Sequence, residues 1–155
     1  MKYPQQKVTI DIPKWLKPTE RKAFAQEVID FIRARTKSGI GVSETTDEAK
    51  NKKFPKYSKE YLKKKGSSLV DLTLKGDMLD AIKQLRDRAG KITIGIKTDK
   101  QNSKAHGHQT GNVGKVRKFL GISQADLRRL IKEFAGDTEE RQIEEIASKT
   151  KFEKL

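Results

Sequence analysis

The chain has 155 residues, 34% hydrophobic and 36% charged, with 35 Lys and Arg against 21 Asp and Glu, a net charge of +14. That length supports one compact core with little left for a second. The charge excludes indifference to polyanions at low salt. With no cysteine, a disulfide framework, a thiolate zinc site and thiol catalysis are all excluded. No apolar run approaches the ~18 residues of a membrane span. Met1–Gln6 has no apolar stretch behind its basic residue, so no signal peptide is expected there, and a reducing compartment is expected.

Val8, Ile10 and Ile12 alternate with Thr9 and Asp11, which predicts a strand with one buried face, ended by Pro13. Pro18-Thr19-Glu20 reads as a helix start with Thr19 as N-cap and Glu20 at the positive end. Phe24, Val28, Phe31 and Ile32, flanked by Ala25 and Ile29, form the core-facing stripe of that helix, which ends near residues 36–39. Residues 38–53 are polar, glycine-containing and without period, and read as a long loop. Ser58 reads as the cap of a short helical turn through Leu62, before the basic run Lys63-Lys64-Lys65.

A second strand is expected at 69–74, with Val70, Leu72 and Leu74 on one face, then a turn at Gly76-Asp77 and a short helix with Met78, Leu79 and Ile82. The segment 81–88 fits two readings. It extends that helix, or its second half pairs with 91–97 as a hairpin turning at Ala89-Gly90, the reading favoured here. Lys91-Ile92-Thr93-Ile94-Gly95-Ile96-Lys97 is the cleanest strand, in strict alternation and rich in β-branched residues. Residues 98–116 read as a second polar loop. Ser123 and Asp126 then form a capping box, and Leu127, Leu130, Ile131 and Phe134 give a helical stripe that Gly136 stops. Thr138 opens a last helix with a thin apolar face, Ile143, Ile146 and Ala147.

The expected fold is therefore α+β: a small antiparallel sheet of about four strands, packed by a long N-terminal helix and a C-terminal helix, with long polar loops. The expected division is a single domain over 1–136 and a helical extension over 137–155. Charge follows that division. Residues 1–65 hold 17 basic and 8 acidic side chains, residues 66–120 hold 11 and 5, and residues 121–155 hold 7 and 8.

Catalytic constellations are missing from the sequence. His106 and His108 are the only histidines, with no third ligand at a fitting spacing, so no metal site is expected. Gly114-Lys115 is followed by Val116, where a phosphate-binding loop needs Ser or Thr to hold Mg²⁺. Asp71, Asp77 and Asp80 are the only tight acidic group near the expected strands, and Asp77 at a helix start is ordinary capping chemistry. No cofactor is expected. For nucleic acid, neither helix-turn-helix spacing nor an aromatic strand motif is present, and Phe24, Phe31, Phe119 and Phe134 read as core. Sequence-specific readout is not expected; attraction to DNA through its backbone stays open.

Two stretches carry a resemblance. Val70-Asp71-Leu72-Thr73-Leu74-Lys75-Gly76-Asp77-Met78-Leu79, and Ala105–Gly111 followed by Arg117-Lys118-Phe119-Leu120-Gly121-Ile122-Ser123, stand in this order around the strand Ile92–Ile96. They resemble the strand-and-turn segment, the His/Gln/Gly-rich loop and the helix-opening segment of the virion-morphogenesis, neck and tail-completion proteins of tailed phages. The first helix, the polar loop and Phe54-Pro55-Lys56-Tyr57-Ser58 also fall in the family's order, so the likeness covers about residues 18–132. Lys75 departs from it, standing where the family has a small hydroxyl residue, and residues 137–155 have no counterpart.

The resemblance implies a non-enzymatic virion protein, a ring subunit at the neck that acts in head–tail joining or tail completion and is assembled in the host cytoplasm. Its implied partners are other neck, portal-adaptor or tail proteins and further copies of itself, with nonspecific contact to passing DNA and no membrane. Lys75, Gly76, Asp77, His106, His108, Gly111, Arg117 and Phe119 are its subunit-interface candidates, Arg117 offered to a neighbouring carboxylate. The basic end at 1–65 and the acidic end at 137–155 are expected to dock between neighbours. The alternative is a small basic DNA-binding protein without sequence preference.

Overall fold

In the computed structural model, residues 3–43, 49–55, 77–111 and 115–135 are described. Their elements, in chain order, are β1 (Lys7–Asp11), α1 (Pro18–Lys37), β2 (Ile40–Val42), β3 (Asn51–Lys53), α2 (Asp77–Asp80), β4 (Ile82–Arg88), β5 (Lys91–Ile96), α3 (Asp99–Thr110) and α4 (Gln124–Ala135). The fold is mixed α+β, with a three-stranded antiparallel sheet and a two-stranded one. The strand expected at 69–74, the turn at Ser58–Leu62 and the helix beyond Thr138 lie outside the described residues.

The main sheet runs β1-β5-β4 with the clean strand at its centre. Val8 faces Ile94 and Ile10 faces Ile92, so the period-2 alternation puts one continuous apolar face on one side. The hairpin, expected for the second half of 81–88, takes in all of it but Ala81: β4 pairs with β5 from Ile82↔Ile96 to Arg88↔Lys91, with an irregularity between Gln84 and Arg86. Ile82 therefore belongs to a strand, because its partner Ile96 gives it a fully buried place in the sheet. The apolar face packs under α1, whose Phe24, Ala25, Val28, Ile29 and Ile32 are buried. Leu127, Leu130 and Ile131 of α4 close the same core, and Phe134 meets Phe24 edge to face at 5.4 Å.

Helix α1 begins two positions earlier than Thr19 capping requires, with Lys17 at the N-cap. Pro18 takes the first helical place, where its missing N–H costs nothing. The Glu20 carboxylate accepts from the Lys17 N–H at 3.0 Å, half of a capping box. At the start of α4 half of the expected box forms, and its other half is a bond between the two side chains. The Ser123 hydroxyl donates to Asp126 at 2.9 Å and accepts from the Asp126 N–H at 3.2 Å.

The two expected loops differ from the reading of the sequence. Within 38–53, β2 and β3 pair antiparallel over three residues each. Residues 99–110 form a helix whose buried side chains are Asn102, Ala105 and Gln109, together with Gly107. Two of those four are amides, so the stripe that fixes this helix is invisible to hydropathy.

Candidate functional site

Two regions concentrate the chemistry: a clasp built around residues 117–123, and the outer face of the main sheet. The clasp starts from backbone groups that irregular chain leaves without partners. The Arg117 N–H donates to the His108 carbonyl at 2.6 Å, and the Phe119 and Leu120 N–H groups share the Gln109 Oε1 at 2.7 and 3.1 Å. The Lys118 carbonyl accepts from the Val42 N–H at 2.9 Å, so the segment runs beside β2. This approach requires Gly41, since a Cβ there would meet the Lys118 carbonyl and the Phe54 ring. On the remaining side Arg35 of α1, 7% exposed, donates to the carbonyls of Phe119, Gly121 and Ile40. Burial lowers the Arg35 guanidinium to about 10, with Asp126 acting the other way, so it stays charged at neutral pH.

The predicted interface residues fall on both sides of this clasp. Phe119 is wholly buried within the fold, and Arg117, 8% exposed, gives its Nε to the Pro55 carbonyl at 3.1 Å. Arg117 thus already serves the subunit's own packing. His106 is half-buried and its ring stacks on Tyr3 at 4.4 Å. His108 is half-buried, and burial, reinforced by the Arg117 charge, lowers its imidazole to about 4. Gly111 ends α3 in the left-handed conformation at φ 76°, its N–H on the Gly107 carbonyl. Asp77 opens α2 on the surface, while Lys75 and Gly76 lie outside the described residues. The structure therefore joins His108, Arg117 and Phe119 into one unit and leaves Asp77 apart from it.

The outer sheet face was not singled out by the sequence. Opposite the apolar side, the register sets three rows across β1, β5 and β4: Lys7, Gly95 and Lys83; Thr9, Thr93 and Arg86; Asp11, Lys91 and Arg88. Lys7, Lys83, Arg86, Arg88 and Lys91 are exposed. A shallow cavity of about 350 Å³ opens there, ringed by Lys7, Arg86, Arg88, Lys91 and Lys97. No acidic side chain lines it among the described residues. At its floor the hydroxyls of Thr9 and Thr93 hydrogen-bond at 2.9 Å. The one acid of the face, Asp11, lies 3.7 Å from Lys91. The signal was present in the alternation itself, since the polar positions between the buried isoleucines are mostly Lys, Arg and Thr.

No protein-family model, curated protein or solved structure matches this chain.

Among the described residues no three His, Asp or Glu side chains gather as a metal would need. What the arrangement can do is chemically simple: the clasp holds a fixed shape, and the sheet face presents cations.

Proposed function

We propose that this chain is a non-enzymatic structural subunit of a tailed phage, acting in head–tail joining or tail completion as a member of a ring at the neck. The observation that carries the reading is the order and separation of Val70–Leu79, Ala105–Gly111 and Arg117–Ser123 along the chain. The fold supports it in two ways. A small α+β core with helices on one side of an antiparallel sheet leaves several faces open for neighbours. The segment that carries the likeness most specifically is bonded to α1, α3 and β2, which suits a residue pattern selected for shape.

On this reading the protein is assembled in the host cytoplasm, resides in the virion, and has as partners copies of itself and the adjoining neck, adaptor or tail proteins. Deleting its gene from the phage tests the reading. Filled heads and separate tails are the expected products, and a normal yield of infectious particles would overturn it.

A further inference from the structure

We infer that the outer face of the β1-β5-β4 sheet is a binding surface for the sugar-phosphate backbone of double-stranded DNA. The inference goes beyond the assembly reading and does not rest on it, because it is carried by the charge and register of one face. Like charges opposite each other on neighbouring strands are destabilising, yet Arg88 pairs directly with Lys91 in the ladder. Asp11 sits beside Lys91 and leaves the other cations of the face without an acid between them. The cations of the face repel one another, and a polyanion laid across it would relieve that repulsion.

The dimensions agree. Three strands and five residues of β1 make a patch of roughly 10 by 13 Å. Beside Lys91, which Asp11 partners, the three rows carry four exposed cations, Lys7, Lys83, Arg86 and Arg88, whose long side chains reach beyond the patch, so about four phosphate contacts are available. Thr9 and Thr93, buried beneath the cations with their hydroxyls bonded to each other, keep the floor of the face polar. Among the described residues no aromatic side chain lines the cavity. A stacking platform for unpaired bases is therefore missing, and the surface fits the backbone of a duplex. Lysines and arginines aimed at phosphates, with no group set to read a base edge, make the binding independent of sequence.

The test compares two triple variants of the full chain with equal charge loss. Lys7→Gln, Arg86→Gln and Arg88→Gln strip the sheet face; Lys22→Gln, Lys37→Gln and Lys104→Gln strip exposed positions on α1 and α3. Circular dichroism melts establish that both fold. Binding to a generic 30-base-pair duplex is followed by fluorescence anisotropy between 50 and 200 mM salt. The wild type and the helix variant should each lose affinity on the order of 100-fold over that range, the slope expected of about four phosphate contacts. The sheet variant's slope should fall by about one for each contact removed. Equal slopes for the two variants, or no binding at 50 mM salt, would overturn the inference. So would a sheet variant whose DNA binding is intact and whose self-association, by light scattering, is lost. That outcome would assign the face to an acidic segment of another protein copy.

Discussion

Arg35 shows how much one side chain can do when its charge is turned inward. Its guanidinium donates to the carbonyls of residues 40, 119 and 121, joining α1 to β2 and to the clasp. Arg35→Ala leaves these acceptors buried and unpaired, and should destabilise the fold by about 3 kcal/mol or more. Arg35→Lys keeps the charge but not the planar fork, so it should cost less than alanine and more than nothing. Urea unfolding of the three proteins measures the order. A second residue-scale effect concerns His108, whose folded pKa of about 4 lies below its unfolded value. The unfolded chain then binds more protons between pH ~6.5 and ~4, so this group's contribution is full above that window and lost as pH falls through it. The loss should reach about 2–3 kcal/mol. His108→Gln should flatten the pH dependence of the unfolding midpoint in that window, and an unchanged profile would contradict the assignment.

At the scale of elements, what the sequence disclosed depended on what each element buries. β1, β5, α1 and α4 bury Val, Ile, Leu and Phe at periods of 2 or 3.6, and all four are legible from spacing alone. Helix α3 is different. Asn102 accepts from the Gln6 N–H at 2.7 Å and donates to the Pro4 carbonyl at 3.1 Å, and Gln109 performs the matching task for residues 119 and 120. These are fixed polar bonds to distant chain, and a polar residue in a sequence does not announce its partner. The cues that were available are Asp99 in the first turn and Gly111 at the stop. The same holds for the clasp: the sequence offered Arg117 to a neighbouring carboxylate and did not mark Arg35, because neither residue announces its carbonyl partners. Asn102→Leu and Gln109→Leu should each cost about 1–3 kcal/mol, through amide N–H groups left buried without acceptors. Their Cα atoms are roughly 10 Å apart along the helix, so the double variant should show near-additive loss in urea unfolding. A loss far from the sum would mean that α3 unfolds as a unit when either anchor is cut.

For the whole molecule, the structure sets apart two groups among the described cations. Arg33 and Arg35 hold backbone carbonyls inside the fold, and Arg21 bridges to Asp87 and the Leu16 carbonyl. These cations are structural. The cations of the outer sheet face lie on the opposite side of the sheet from α1 and are open to solvent. A positive total in the sequence could not distinguish the two, since burial and register do the sorting. The division suits a subunit rigid enough to tile against neighbours while keeping one charged face for DNA. The central claim is the assembly role, and in-vitro joining tests it most directly. Purified protein is added to a lysate of the phage lacking its gene, and joined particles are counted by electron microscopy and infectivity. The account predicts filled heads and free tails before addition, and joined, infectious particles after it. Joined particles in the lysate without the protein, or none after adding folded protein, would contradict it.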